Sequence, residues 1–147
     1  MENLSNILAV GIGGFIGSVI RYLVALYFNT NFNSRFTPNH ESHNFSNLIF
    51  TLPLHTLLVN IIGSLLIGIF ISYFKFAEIE SQSLKLFITT GLMGGLTTFS
   101  TFSFEVFELL KVGHVSIALI YIALSLGLGI LFCYLGYSIT SYFFKLI

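Results

Sequence analysis

Phe99 and Phe102 stand three residues apart, interleaved with Ser100, Thr101 and Ser103 and followed by Glu105. Residues at that spacing share a helix face, and an aromatic ring presents a negative face and a positive edge. Ring edges turned toward a narrow path, with uncharged hydroxyls between them, suit a small anion that must be held without a fixed positive charge. Packed or lipid-facing rings are the plain alternative in a chain with 17 Phe; the hydroxyl ladder is what apolar packing does not require. Asn60, one turn after Thr56, is open to two readings: a donor to an anion, or an amide that ties helices together. Arg21 and Glu105 are the deepest ionisable groups of their segments. Such groups usually face an interior or a watery cavity, which makes both candidates for the charged mouth of a path. Arg21 is also placed to snorkel to the membrane surface.

These residues belong to a chain of 147 residues that is 55% hydrophobic and 8% charged, with a mean hydropathy of +0.92. A soluble domain carries about 25% charged residues, so the composition predicts an all-α integral membrane protein. Four apolar stretches, 4–28, 54–74, 84–110 and 115–144, each reach the roughly 20 residues that span a bilayer, and 1–147 reads as a single transmembrane domain. The first stretch lacks the basic start of a signal peptide and is too long for its apolar core. Residues 29–50, with Pro38, Arg35, Glu41 and many Asn and Ser, predict a polar loop. His40 and His43 within it are half a metal site, and stable sites take three or four ligands. The short connections 78–83 and 111–114 predict that helices two and three, and three and four, pack as antiparallel neighbours. A single cysteine, Cys133, excludes an intrachain disulfide. Zero formal net charge gives no reason to expect nucleic acid as a partner, and nothing resembles a soluble catalytic domain, so no enzyme is expected.

The third stretch is the unusual one. Gly94-Gly95 and Thr97-Thr98 stand in its middle, where glycine costs about 1 kcal/mol relative to alanine. Backbone released from a helix cannot stay unpaired in hydrocarbon. A break near 94–98 is therefore expected, buried in protein or lining a polar cavity. Stripes at four-residue spacing mark the other helices: Gly13, Gly17 and Arg21; Thr56, Asn60, Ser64, Gly68 and Ser72; Tyr121, Ser125, Gly129, Cys133 and Tyr137. Small residues let membrane helices approach closely.

Along all four helices the chain resembles the CrcB/Fluc fluoride channels. Gly13-Gly14-x-x-Gly17-x-x-x-Arg21-Tyr22, Thr56-Leu-x-Val-Asn60-x-x-Gly63 and the run from Gly91 to Glu105 are similar to that family's signatures of helices one, two and three, the last most specifically. Tyr121 and Ser125 fit its polar pair on helix four less closely. The resemblance implies a channel that passively exports cytoplasmic fluoride across a bacterial plasma membrane, built as an antiparallel, dual-topology homodimer. It implies that Asn60, Phe99 and Phe102 contact fluoride and that Thr56, Ser100, Thr101, Ser103, Tyr121 and Ser125 line the track. It also implies a structural Na+ at the dimer centre, held by main-chain carbonyls at Gly94 and Thr97 of both chains; freed carbonyls suit a hard cation. The alternative is a small dual-topology multidrug exporter. That class needs an intramembrane carboxylate for proton coupling, and helix one has only Glu2, at its start.

Lys and Arg bias ordinarily sets orientation. Here Lys75, Lys85 and Lys145 fall on one side and Arg21, Arg35 and Lys111 on the other, three against three. A reporter fused to the C-terminus should accordingly be found on both sides of the membrane. Several lysines added near Glu78 should drive it to one side and reduce assembly. A single orientation of the unaltered chain would contradict the charge argument.

Overall fold

A computed structural model describes residues 2–31 and 52–146, nearly all of them helical. Most of the expected 29–50 loop, with His40 and His43, lies outside the described residues. Helix α1 runs Glu2–Asn31, α2 runs Leu54–Phe76 and α5 runs Val115–Leu146. Each is long and apolar enough to cross a membrane. The third span is composite. Gln82–Leu86, a π-helical stretch Phe87–Met93 and Gly94–Leu96 form one continuous rod, α3. After an interruption, α4 runs Phe99–Lys111. The chain is an all-helical, multi-pass membrane protein.

Local chemistry explains the ends. Pro53, with φ −71°, precedes α2 and cannot extend it backward with a hydrogen-bonding N–H. The Ser81 hydroxyl accepts the Leu84 N–H at 3.4 Å to cap α3. Gly113, at φ +84°, closes α4. His114 N–H bonds the Leu109 carbonyl at 2.9 Å across it, a turn that only the left-handed backbone of glycine adopts without strain.

The spans pack in an order that the short connections do not suggest. The extensive contacts join α1 to α3 and α2 to α5, while consecutive spans touch less. Both main pairs run parallel. Ser83 on α3 donates to Asn6 on α1 at 2.7 Å, and further along the same two helices Gly13 and Gly17 lie against Phe87 to Leu96. On the other pair Gly129 sits beside Ser64, Gly68 against the Cys133 carbonyl, and Tyr73 against Phe144. Consecutive spans also meet as the expected antiparallel neighbours, Val59 against Met93 and Phe102 against Tyr121, but the extensive packing is between the two parallel pairs. Glycine decides the pairs: a Cβ on Gly17 would overlap the Leu92 carbonyl, and one on Gly136 would overlap that of Leu65. Only backbone-to-backbone approach fits there, and it selects the partner helix whatever the connection length. Gly136, which makes this approach on α5, is off the expected stripe of Gly129, Cys133 and Tyr137.

The third span changes partner at its interruption. Below it, Met93 and Leu96 pack with Val59 of α2 and Val24 of α1. Above it, Phe102 and Leu109 pack with Leu57 of α2 and with Ala118 and Tyr121 of α5. Gly17→Val should therefore disrupt folding, since overpacking a tight core costs about 1–3 kcal/mol or more and here the obstacle is backbone. Gly127→Ala, with nothing near its added methyl, should leave the protein intact. Size-exclusion elution and thermal unfolding in detergent separate the two.

Candidate functional site at the helix break

Thr97 and Thr98 take extended backbone, with ψ of 156° and 119°. Their polar groups are nonetheless bonded. Thr97 donates both its N–H and its hydroxyl to the Met93 carbonyl at 2.9 Å. The Asn60 amide of α2 bonds the backbone of Thr98 on both sides of its Cα: Oδ1 accepts the Thr98 N–H at 2.8 Å, and Nδ2 donates to the Thr98 carbonyl at 3.2 Å. Asn60 acts here as a short piece of substitute backbone. Gly63, one turn on, leaves room for the Thr97 methyl, which a Cβ at that position would overlap. Thr98 then starts α4 as its cap. Its hydroxyl accepts the Thr101 N–H at 3.2 Å and lies 3.0 Å from the Thr101 hydroxyl and 3.3 Å from that of Ser100.

These bonds have a consequence for the carbonyls. In a continuous helix the Thr98 N–H would bond the Gly94 carbonyl and the Thr101 N–H that of Thr97. Asn60 and the Thr98 side chain take those donors, so the Gly94 and Thr97 carbonyls lose their helical partners.

Beside the break lies an open groove of about 330 Å³, lined among others by Asn60, Ser64, Thr89, Gly94, Thr97, Thr98, Phe99, Phe102 and Ser125. No charged side chain among the described residues lines it. The Phe99 and Phe102 rings are 5.7 Å apart and tilted by 43°. They differ in surroundings: Phe99 is 76% exposed and Phe102 is 8% exposed. The Ser125 hydroxyl is buried and finds no partner among the described residues.

A second polar group lies past Phe102, whose ring is 5.2 Å from that of Tyr121. Glu105 is its centre. One carboxylate oxygen accepts the Thr56 hydroxyl at 2.6 Å, and the other accepts the Tyr121 hydroxyl at 2.7 Å. His55 Nε2 stands 3.6 Å from the first oxygen. The structure thus sorts the sequence candidates into two sets joined by Phe102. Asn60, Phe99, Phe102 and Ser125 border the groove, while Thr56 and Tyr121 are turned to Glu105. Thr101 and Ser100 gather at the Thr98 cap, Ser100 on the exposed side. Ser103 is exposed and donates to the Phe99 carbonyl at 2.8 Å. Arg21 joins neither set; its Nε is buried without a partner among the described residues.

Three features escaped the sequence reading. Thr98, the hub of the break, was hidden behind its neighbours, although a threonine three residues before another backbone donor at a helix start is a capping pattern. His55 was not singled out, since nothing in its sequence neighbourhood points to Glu105, 50 positions away. The π-helical stretch leaves no trace in an apolar run.

A helical membrane protein with one span interrupted beside a polar groove is the class that the fold and the site define. The family model described as "CrcB-like protein, Camphor Resistance (CrcB)" matches residues 8–137, and the chain belongs to that family. It is 38% identical over 144 residues to a Clostridium perfringens protein named "Fluoride-specific ion channel FluC", covering 98% of this chain and 100% of that one. A protein of the same name from Sulfurimonas denitrificans is 42% identical over 120 residues, 82% of this chain and 81% of its own. One from Campylobacter fetus is 39% identical over 139 residues, 95% and 96%.

Asn60→Ala should expose how much the break depends on its amide. It strands the Thr98 N–H, at about 1–3 kcal/mol, while the Thr98 carbonyl keeps its bond in the first turn of α4, and the unfolding temperature in detergent should fall by about 3 °C or more. Circular dichroism reads the shift. A temperature unchanged from wild type would mean that the Thr98 N–H finds another partner.

Proposed function

We propose that the chain is a fluoride-selective channel in the plasma membrane of a bacterium, through which cytoplasmic fluoride leaves down its electrochemical gradient. It performs no covalent chemistry and relieves fluoride toxicity by passive export. One observation carries the reading beyond the names of near full-length relatives: among the described residues the groove presents hydrogen-bond donors and aromatic rings but no charged side chain. A small, strongly hydrated anion must exchange water for donors of similar strength. Asn60 has an amide hydrogen beyond the one Thr98 takes, and the Ser125 hydroxyl is uncommitted. The edges of Phe99 and Phe102 add positive potential without attracting larger anions by net charge. From the groove the track continues past Phe102 to Thr56 and Tyr121, with Ser100, Thr101 and Ser103 along α4. Glu105 and Arg21 act electrostatically at its mouths. The multidrug-exporter alternative gains no support, since the relatives described above bear the name of a channel.

The working unit in this reading is an antiparallel homodimer in the lipid bilayer. A polar groove open on one side cannot face lipid, and Phe99 at its rim is exposed in the single chain. A second copy would cover both. The Gly94 and Thr97 carbonyls, deprived of their helical donors, fit a hard cation, and with the same pair from the partner they would hold Na+ at the dimer centre. Such an ion supplies fixed positive charge and ties the chains together.

Purified protein in liposomes should pass fluoride and hold back chloride. Phe99→Ile and Phe102→Ile keep an apolar side chain and lose the ring edge. Each should lower fluoride flux about tenfold with the dimer still assembled, as expected for loss of about 1.4 kcal/mol. Chloride flux comparable to that of fluoride would overturn the proposal.

A further inference from the structure

His55 belongs to neither the break nor the groove, and its position relative to Glu105 is specific. It lies in the first turn of α2, next to Thr56, with Nε2 3.6 Å from the Glu105 oxygen that Thr56 also bonds. The side chains are 27% and 15% exposed, so solution protons reach the imidazole while the carboxylate is largely shielded. Glu105 holds the hydroxyl protons of Thr56 and Tyr121 on itself. Those are two of the donors that a passing anion would need. Its negative charge at this point also opposes anion entry, and shielding from water sharpens that opposition.

The surroundings leave few groups to offset this charge. Among the described residues, Tyr121 from α5 is hydrogen-bonded to Glu105 and supplies no positive charge. Further along α4, Glu108 and Lys111 pair with each other at 3.4 Å and offset one another. From α1 no described side chain bonds either His55 or Glu105, and Arg21 Nε has no partner there. His55 is thus the one described side chain within ion-pair reach of Glu105 that can carry positive charge. Imidazole is the side chain whose charge changes between about pH 5 and 8.

We propose that His55 is the titratable counter-charge of Glu105, and that its protonation raises anion flux through this chain by cancelling the carboxylate charge at the end of the polar track. The inference rests on the fluoride reading above. The sign follows from the charges. With His55 protonated the pair is neutral as a unit, and the carboxylate holds the Thr56 hydroxyl less firmly. With His55 neutral, Glu105 stands alone and the barrier to an anion is higher.

Fluoride efflux from liposomes, at equal pH on both sides and with the leak of protein-free vesicles subtracted, reads the effect. Wild-type flux should fall about fivefold between about pH 5.5 and about pH 8. His55→Gln should be flat at the low level, and His55→Lys, charged throughout, flat at the high level. Glu105→Gln should raise the flux at about pH 8 to at least the wild-type level at about pH 5.5, because the opposing charge is gone. Elution as a single species confirms that each variant folds, and the wild-type profile needs no variant at all. Flux that is present but independent of pH in wild type, or a pH profile that survives in His55→Gln, overturns the role of His55 alone. No fluoride flux at any pH overturns the fluoride reading and this inference with it.

Discussion

Backbone released from a helix inside a membrane-spanning segment must be bonded by something else. The backbone at Thr98 is that place, and much of the structure follows from the way it is held. Asn60 meets its N–H and its carbonyl together, which places α2 at a fixed height and distance from the third span. Close approach then requires a glycine one turn later, and Gly63 is there. Asn60 takes the donor that the Gly94 carbonyl would have in a continuous helix, and the Thr98 hydroxyl takes that of the Thr97 carbonyl, so the break leaves two oxygens without helical partners.

The break is also where the third span changes neighbours. Its first half lies along α1, where Gly13, Gly17, Gly91 and Gly95 bring the two backbones together. Its second half leaves α1 and packs Phe102 and Leu109 on α2 and α5. A straight helix would keep one partner from end to end. The extended Thr97 and Thr98 let the chain turn between two rigid pairs, α1 with α3 and α2 with α5, and the groove is the space beside that turn. Its polar lining is therefore a product of how the spans pair and not of any one helix face.

Charge is sparse, and its placement is economical. Glu105 is satisfied by two hydroxyls from two other helices, so it links α4 to α2 and α5 at the same time. A carboxylate held in this way orders the local packing. It also commits those hydroxyls and brings negative charge to the end of the uncharged groove, which is why the neighbouring imidazole of His55 bears on function.

The membrane class, the existence of four apolar segments, the interruption of the third and the mix of uncharged polar groups and aromatic rings at Asn60, Phe99, Phe102 and Ser125 could all be read from residue types. These properties depend on composition and on short-range spacing: glycine and β-branched threonine weaken a helix wherever they stand, and a run of about 20 apolar residues reaches across a bilayer in any fold. The pairing of spans was not legible. Short connections pointed to antiparallel neighbours, but helix pairing in lipid is decided by where two backbones can touch, and that depends on the rotation of each helix about its axis. For the same reason the sequence placed Thr56 and Tyr121 along the track and Glu105 apart from them at a mouth, while the tertiary structure makes them one hydrogen-bonded set. Phe99 and Phe102 share spacing and residue type, yet one is buried and one exposed, because burial is a property of what stands opposite. Residue chemistry is local and written in the chain; which groups meet across 38 or 49 positions, as Asn60 meets Thr98 and Thr56 meets Glu105, only the packed helices decide.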